Sequence, residues 1–567
     1  MKIVPVSRSS RSGVPTSAQP SRASHPEPGA GREGESLVDA QCRAQQVLAD
    51  PELSRLLSSP RERREVERAR QIFVNRNLRM SKIELVGFDM DYTLAIYHMR
   101  RIERLSFDMT VAKLIAEYGY PGEMAEVQYD HQFVMRGLAV DKLNGNLLKM
   151  DRFGHVGRAY HGRHPLSQEL WRKLYREVRV QLKNPQYAWI DTLFALPEAC
   201  LFAGAIDLLE GRGLKVDYGK LYDDIREAID AVHRENILKQ ELQKDIGRYI
   251  YKDPELGPAL HRLRSGGKKL FLLTNSLWGY TNAVMSYLLN GVLPEYPGWR
   301  HYFDFIVTGA LKPAFFSGNA PFLEVDATRE DERTLGPAQS LIRGKVYQGG
   351  NLADFGKMTG FTGENVLYVG DHIYGDILKS KKTSLWRTCM IVQEIEDEIN
   401  YTDSRQEPIS RLFEIEMLRA RLDDELNQRK GQLNALERKL EKNGVEQDRR
   451  PAVEDERRRA KTEVEKLRSA LRQTSQIADA LERDVEEGFN RYWGLLFKEG
   501  NENSRFGEQI EQYACVYTGR VSNFLHYSPM QYFRSPRDLM PHERAGALSA
   551  KLSPLGSEGP AVGPSKD

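Results

Sequence analysis

Long apolar runs are missing from this chain: none of its 567 residues belongs to a stretch approaching the roughly 20 consecutive apolar positions that a bilayer-spanning helix needs. A membrane is therefore not expected as a partner. Cysteine is scarce as well. Cys42, Cys200, Cys389 and Cys515 lie far apart and form no CxxC, so neither a zinc site nor a disulfide framework is indicated, and a reducing, cytoplasmic setting is expected. Charge of one sign is absent too, since 82 Lys and Arg face 80 Asp and Glu for a net charge of +2. No global basic field argues for a nucleic acid polymer. The first 36 residues lack the hydrophobic core of a secretory signal. They are rich in Ser, Arg, Pro and Gly, and a disordered tail over residues 1–45 is expected in preference to an organellar transit peptide, with a second over 545–567.

What is present is concentrated at the ends of four short apolar runs. The stretch VGFDMDYTL ends a buried strand on Asp89 and Asp91. Two carboxylates two residues apart on a strand end project to the same side, at the edge where open α/β sheets bind ligands. One can attack while the other gives and takes the proton, and the pair can help hold a divalent cation. KLFLL is followed by Thr274, Asn275 and Ser276, whose hydroxyl and backbone donors suit phosphate oxygens. Phe303 to Val307 leads to Lys312, which can neutralise an anionic phosphate. VLYV leads to Asp371 and Asp376, which complete an oxygen-only magnesium site. Each feature has a bland counterpart in an acidic turn, a helix cap or a surface lysine. Four in this order argue against coincidence.

The order DxDxT, Thr, Lys, GDxxxxD resembles the haloacid dehalogenase (HAD) superfamily of aspartate-nucleophile phosphohydrolases. FVNRNLRMSKIELVGFDMDYTLAIY, RGLAVDKLNGNLLKMD, DTLFALPEA, GDHIYGDILKSKK and LMPHE are similar to the cytosolic purine 5′-nucleotidase family, from about Phe73 to Glu543. The resemblance implies an α/β fold, a HAD-like Rossmannoid doubly wound parallel sheet. A helical cap insertion and an antiparallel coiled-coil hairpin near the C-terminus would be added to it. In the cap sequence YDDIREAIDAVHRENILK, Arg226, Asp230 and His233 share one helix face by spacing. An ordinary solvated Arg–Asp pair is the plain alternative. In the family, residues at these positions and at Lys239 surround base and ribose, and Phe194 matches an aromatic that stacks on the base. Arg and Asp can read a 6-oxopurine as acceptor and donor. Ala195 stands where the family has an Asn, so one polar contact is missing.

The expected organisation is a core over 46–151 and 246–408, a mainly helical cap over 152–245, a coiled-coil hairpin over 409–487 and a segment over 488–544 docking on the core. The hairpin rests on Leu418, Leu422, Leu426, Leu433, Leu436 and Leu440, then Val464, Leu467, Leu471, Leu481 and Val485, with a break from Asn443-Gly444 to Pro451. The expected activity is a Mg²⁺-dependent 5′-nucleotidase acting on purine nucleoside monophosphates. Asp89 is the nucleophile and Asp91 the general acid and base. Mg²⁺ is held by Asp89, the backbone carbonyl of Asp91, Asp371 and Asp376, and the phosphate by Thr274, Asn275, Ser276 and Lys312. Transfer of the phosphoryl group to another nucleoside is also open to such an enzyme. The rivals are a phosphatase of the same fold for another phosphomonoester and a scaffold working through its coiled coil. The family is oligomeric, which leaves a homo-oligomer open. Gln181 and Gln512 stand where that family's effector site has arginines, and Trp189 and Asp191 replace an Ile and an Asn, while Gln509 and Tyr374 are compatible. Activation by adenine nucleotides is therefore expected to be absent.

Overall fold

The computed structural model describes residues 49–58, 66–329, 333–378, 384–441, 447–540 and 542–543. The two expected tails and Asn443-Gly444 lie outside the described residues. A short helix, Pro51–Ser58, belongs to a separate unit, Met1–Glu65, and is capped by Asp50, whose Oδ1 accepts from the amides of Glu52 and Leu53. Everything else belongs to the unit Val66–Asp567.

That unit is built on a ten-stranded sheet. In spatial order its strands are Phe73–Val74, Val516–Thr518, Arg387–Ile391, Val366–Gly370, Leu85–Phe88, Lys269–Leu273, Phe305–Thr308, Val346–Gly349, Phe322–Val325 and Thr334–Pro337. The seven from Val516–Thr518 to Val346–Gly349 run parallel, and antiparallel strands flank them on both sides. The central strands are continuous apolar runs because both faces are covered. Leu85–Phe88 lies at the position where chain order reverses. Later strands are laid down on one side of it and then on the other, which leaves a crevice at its carboxyl end. Phe88 pairs with both Leu272 and Val369, so the loops that follow these three strands leave the sheet at one level.

Between Leu85–Phe88 and Lys269–Leu273 the chain builds an insertion. It contains a five-stranded antiparallel sheet in the order His164–Pro165, Val156–His161, Asn146–Met150, Leu138–Asp141, Tyr187–Ile190. The helices Met99–Glu117, Leu196–Gly211 and Tyr218–Arg234 pack on one another beside it. The expected boundary at residue 151/152 is corrected here. It cuts the hairpin in which Asn146–Met150 pairs with Val156–His161, because Leu138–Asp141 and Asn146–Met150 join the inserted sheet and not the central one. The mainly helical expectation for 152–245 missed the strands Val156–His161 and Tyr187–Ile190 for the same reason.

Past the core, Gln406–Glu441 and Arg450–Glu487 pack along each other. Arg429 meets Glu463 at 3.0 Å and Arg405 meets Asp484 at 2.9 Å, so the helices run antiparallel. Leu426, Leu436, Val464 and Val485 are buried between them, whereas Leu418, expected in the seam, is 41% exposed. The segment after the hairpin does more than dock. Val516–Thr518 becomes a parallel strand of the central sheet, and buried Lys149 of the insertion donates to the carbonyls of Trp493, Leu495 and Lys498 at 2.6 Å each.

The hairpin meets the body at its base, where Tyr401 Oη donates to the Val485 carbonyl and Arg158 pairs with Glu486. Replacing the residues between Glu416 and Glu482 by a short linker should therefore leave cooperative unfolding with a Tm within about 4 °C of the full chain. Circular dichroism melts of the two proteins check this, and a shortened chain without a cooperative transition refutes it.

Candidate active site

The strand ladder runs one residue past each relevant strand end. Asp89 donates its amide to the Val369 carbonyl at 2.9 Å, and Thr274 donates to Val307 at 3.0 Å. The chain then turns sharply: the amides of Thr93, Leu94 and Ala95 all converge on the Met90 carbonyl at 2.9–3.2 Å. Tyr92 sits in that turn at φ 55°, a conformation costly for a residue with a Cβ. Its buried ring is fixed by Tyr97 and Phe194, with centroids 4.9 and 4.6 Å away.

Lys312 occupies the centre. Its ammonium is 3.0 Å from Asp89 Oδ2, 2.6 Å from Asp376 Oδ1, and donates to Tyr368 Oη at 2.9 Å. Burial opposes its charge, but Asp376 and Asp89 outweigh burial and hold the ammonium well above its ordinary range. Oxygens of Asp89, Asp371 and Asp376 lie within 4.8 Å of one another. Burial pushes Asp89 well up, Lys312 partly offsets this, and Asp376, Asp371 and Asp91 add to it. Burial, then Asp376, pushes Asp371 up to about 7. Three carboxylates thus crowd one ammonium, and a divalent cation would relieve the repulsion that raises them. The donor set is all oxygen and fits a hard cation. Gly370 permits this crowding, since a Cβ there would come within 2.6 Å of Asp376 Oδ2.

Asp91 faces away from that trio. Its Oδ1 accepts from Tyr97 Oη and its Oδ2 from Ser276 Oγ, both at 2.6 Å. Tyr97 in turn meets Tyr280 Oη at 2.8 Å, and Lys239 donates to Ser276 Oγ at 3.1 Å. The Asp91 carboxylate therefore belongs to no metal trio among the described residues, and only its backbone carbonyl is left for the metal role expected of it. Two residues expected at the phosphate have protein partners in this structure. Ser276 spends its hydroxyl proton on Asp91, and Asn275 uses its amide to fix the backbone of Lys312, donating to its carbonyl at 2.9 Å and accepting from its amide at 2.6 Å. Thr274 is fully buried, and its Oγ1 accepts from the Ser276 amide at 3.1 Å.

Over this edge stand the residues of the helix Tyr218–Arg234. Arg226 Nη1 donates to Glu198 Oε2 at 2.9 Å, and Arg226 Nε to Asp230 Oδ2 at 3.4 Å. Arg226 and Asp230 are about half exposed, while Glu198 is buried and also accepts from Tyr222. His233 is edge-on to Phe194 at 5.3 Å, and its buried Nε2 has no partner among the described residues. Burial, then Lys239, lowers His233 to about 4, so it is neutral at pH 7. Phe194 thus touches both His233 and Tyr92, which joins the insertion to the catalytic turn.

Sequence reasoning missed Tyr97, Tyr280, Tyr368, Glu198 and Arg136, all of which contact these groups. Glu198 lies inside DTLFALPEA, so its motif was visible but its charge was not used. The tyrosines carried no signal, since an aromatic beside an apolar run reads as core.

The sequence is similar to those of several known proteins. A 5′-nucleotidase domain-containing protein of Dictyostelium discoideum is 32% identical over 481 residues, covering 83% of this chain and 74% of that protein. The 5′-nucleotidase domain-containing protein 2 of Homo sapiens is 30% identical over 484 residues, covering 83% of this chain and 85% of its own length. Among solved structures, a magnesium-bound HAD-hydrolase of Bacillus subtilis is similar at 13% identity and a TM-score of 0.20, over 55% of this chain and 86% of that one. Residues 72–545 match the sequence pattern of the 5′ nucleotidase family, and the chain, with its DxD turn, lysine and acidic loop at one sheet edge, belongs to that family.

Proposed function

We propose that this protein is a Mg²⁺-dependent 5′-nucleotidase, a phosphoric monoester hydrolase that acts on purine nucleoside 5′-monophosphates of the IMP and GMP kind in the cytoplasm. The observation that carries the reading is the pairing of Asp89 with Lys312 at 3.0 Å, two residues from an Asp91 oriented by two hydroxyls. Asp89 attacks phosphorus and forms an aspartyl phosphate, while Asp91 delivers a proton to the departing 5′-oxygen. Asp91 then takes a proton from water, whose attack releases phosphate and restores Asp89. Lys312 neutralises charge on the transferring oxygens, with Thr274 and Asn275 at the end of Lys269–Leu273 beside them. Asp89, Asp371, Asp376 and the Asp91 carbonyl would hold Mg²⁺, which supplies further neutralisation when bound. Phe194 and neutral His233 offer a face and a free nitrogen to the nucleoside, and Arg226 with Asp230 offers a donor and an acceptor to the base. An aspartyl phosphate can also pass to a nucleoside hydroxyl, so phosphotransfer belongs to the same proposal.

Phosphate release from a nucleotide panel with and without Mg²⁺ is the primary test. Asp89→Asn should lower kcat by about 10³-fold or more. The same change should not lower Tm, because it relieves a buried carboxylate already crowded by three others. Wild-type turnover in that variant would end the mechanism.

Arg226→Ala and Asp230→Ala should reduce kcat/KM for IMP by about 10- to 100-fold. An aryl phosphate that uses only the sheet edge should change less than about threefold by the same reasoning. Equal losses on both substrates would make the helix a structural support.

Millimolar ATP at fixed free Mg²⁺ should leave IMP hydrolysis unchanged. Gln181 and Gln512 lack the bidentate phosphate donors of arginine, and Asp191 is engaged with His372 at 3.3 Å. A saturable, several-fold activation would overturn this expectation.

A further inference from the structure

The nucleophile turn and the acidic loop both lean on one two-residue turn outside the motifs. Just past the strand Arg387–Ile391, Gln393 donates Nε2 to the Tyr92 carbonyl at 2.9 Å. Its neighbour Glu394 accepts from Arg136 in bidentate fashion, from Nε at 2.8 Å and Nη2 at 2.6 Å. The same guanidinium donates Nη1 to the backbone carbonyl of Asp371 at 2.9 Å. The Arg136 side chain is fully buried and lies over the Phe506 ring at 5.0 Å. The turn itself is anchored, with the Val392 amide on the Thr518 carbonyl and the Ile395 amide on the Val392 carbonyl.

We infer that Gln393, Glu394 and Arg136 are positioning residues that set the nucleophile turn and the metal-binding loop in register with each other. A carbonyl held by a fixed donor fixes its peptide plane, and the Asp371 peptide plane decides where that side chain's oxygens point. Tyr92 lies between Asp91 and Thr93 in a left-handed conformation, so its carbonyl is the natural point at which to hold a turn that the backbone alone disfavours. Glu394 has a second task. Arg136 is also attracted by the Asp371 carboxylate, and a guanidinium released from Glu394 would swing toward it and compete with a cation for its oxygens. The two arms thus divide the work, Gln393 serving the nucleophile and Glu394 with Arg136 serving the cation. This inference rests on the magnesium nucleotidase reading above.

Gln393 and Glu394 border a cavity of about 590 Å³ that also includes Met99, Met135 and Phe489, so isosteric changes there have room to settle. The test uses the full chain with Glu394→Gln, Arg136→Lys and Gln393→Leu. Mg²⁺ binding is titrated calorimetrically without substrate, alongside kcat on IMP and thermal melts. Glu394→Gln and Arg136→Lys should weaken Mg²⁺ binding about 10-fold, the usual effect of losing an outer partner of a metal ligand. Their kcat at saturating Mg²⁺ should stay within about threefold, because the nucleophile arm is untouched. Gln393→Leu should do the reverse, lowering kcat about 10-fold with Mg²⁺ affinity unchanged. Unchanged binding and turnover in all three would overturn the inference, and so would equal losses in both readouts tracking a fall in Tm, the signature of a mere brace. A wild-type chain that turns over without binding Mg²⁺ overturns the metal reading and the Arg136 arm with it, while kcat of Gln393→Leu still decides the other arm.

Discussion

Lys312 makes the sheet edge possible. Parallel strands that end side by side bring their following loops to one level, and here those loops carry Asp89, Asp371 and Asp376 within one small volume. Without a counter-charge such a cluster would protonate or push the loops apart. The ammonium touches two of the three acids, and removing it would leave buried carboxylates facing one another, a loss that typically costs about 3–5 kcal/mol. Asn275 clamps the lysine backbone from both sides, and Tyr368 steadies its tip from a strand three places away in the sheet. Much of what surrounds the site is support for that single nitrogen.

The insertion reaches the same edge by three separate routes. Phe194 packs on Tyr92 in the nucleophile turn, Lys239 bonds Ser276 beside Asp91, and Arg136 holds the Asp371 carbonyl. Each contact lands on a different loop of the sheet edge. The insertion and the acidic sheet edge are therefore mechanically joined in this chain, even though they are drawn from different layers.

The acidic cluster was legible in the sequence because its residues stand in short local motifs. Asp89 and Asp91 follow an apolar run directly, and the spacing between Asp371 and Asp376 carries a motif. What the sequence hid was the use to which a polar side chain is put. Asn275 and Ser276 have phosphate-binding chemistry, yet their neighbours Lys312 and Asp91 claim them, and that competition exists only after folding. The strands at Leu138–Asp141 and Asn146–Met150 read as core continuation because buried strands look alike whichever sheet they join. Arg136 and Glu394 are 258 residues apart, beyond any local pattern. Leu418 follows the heptad rhythm but sits near the base of the hairpin, where the partner helix leaves it 41% exposed.

The strand Val516–Thr518 closes one side of the parallel sheet against Arg387–Ile391, and the two helices Gln406–Glu441 and Arg450–Glu487 separate them in the chain. During synthesis the catalytic loops all emerge before that strand does. Until it arrives, Arg387–Ile391 presents an open row of amides and carbonyls to its surroundings, the kind of edge that invites pairing with another chain. The long hairpin is made during this interval from contacts close in sequence and can fold promptly by itself. It brings Val485 back beside Tyr401, which shortens the search by which the last strand finds its place. Order of emergence from the ribosome thus becomes part of how the central sheet is protected.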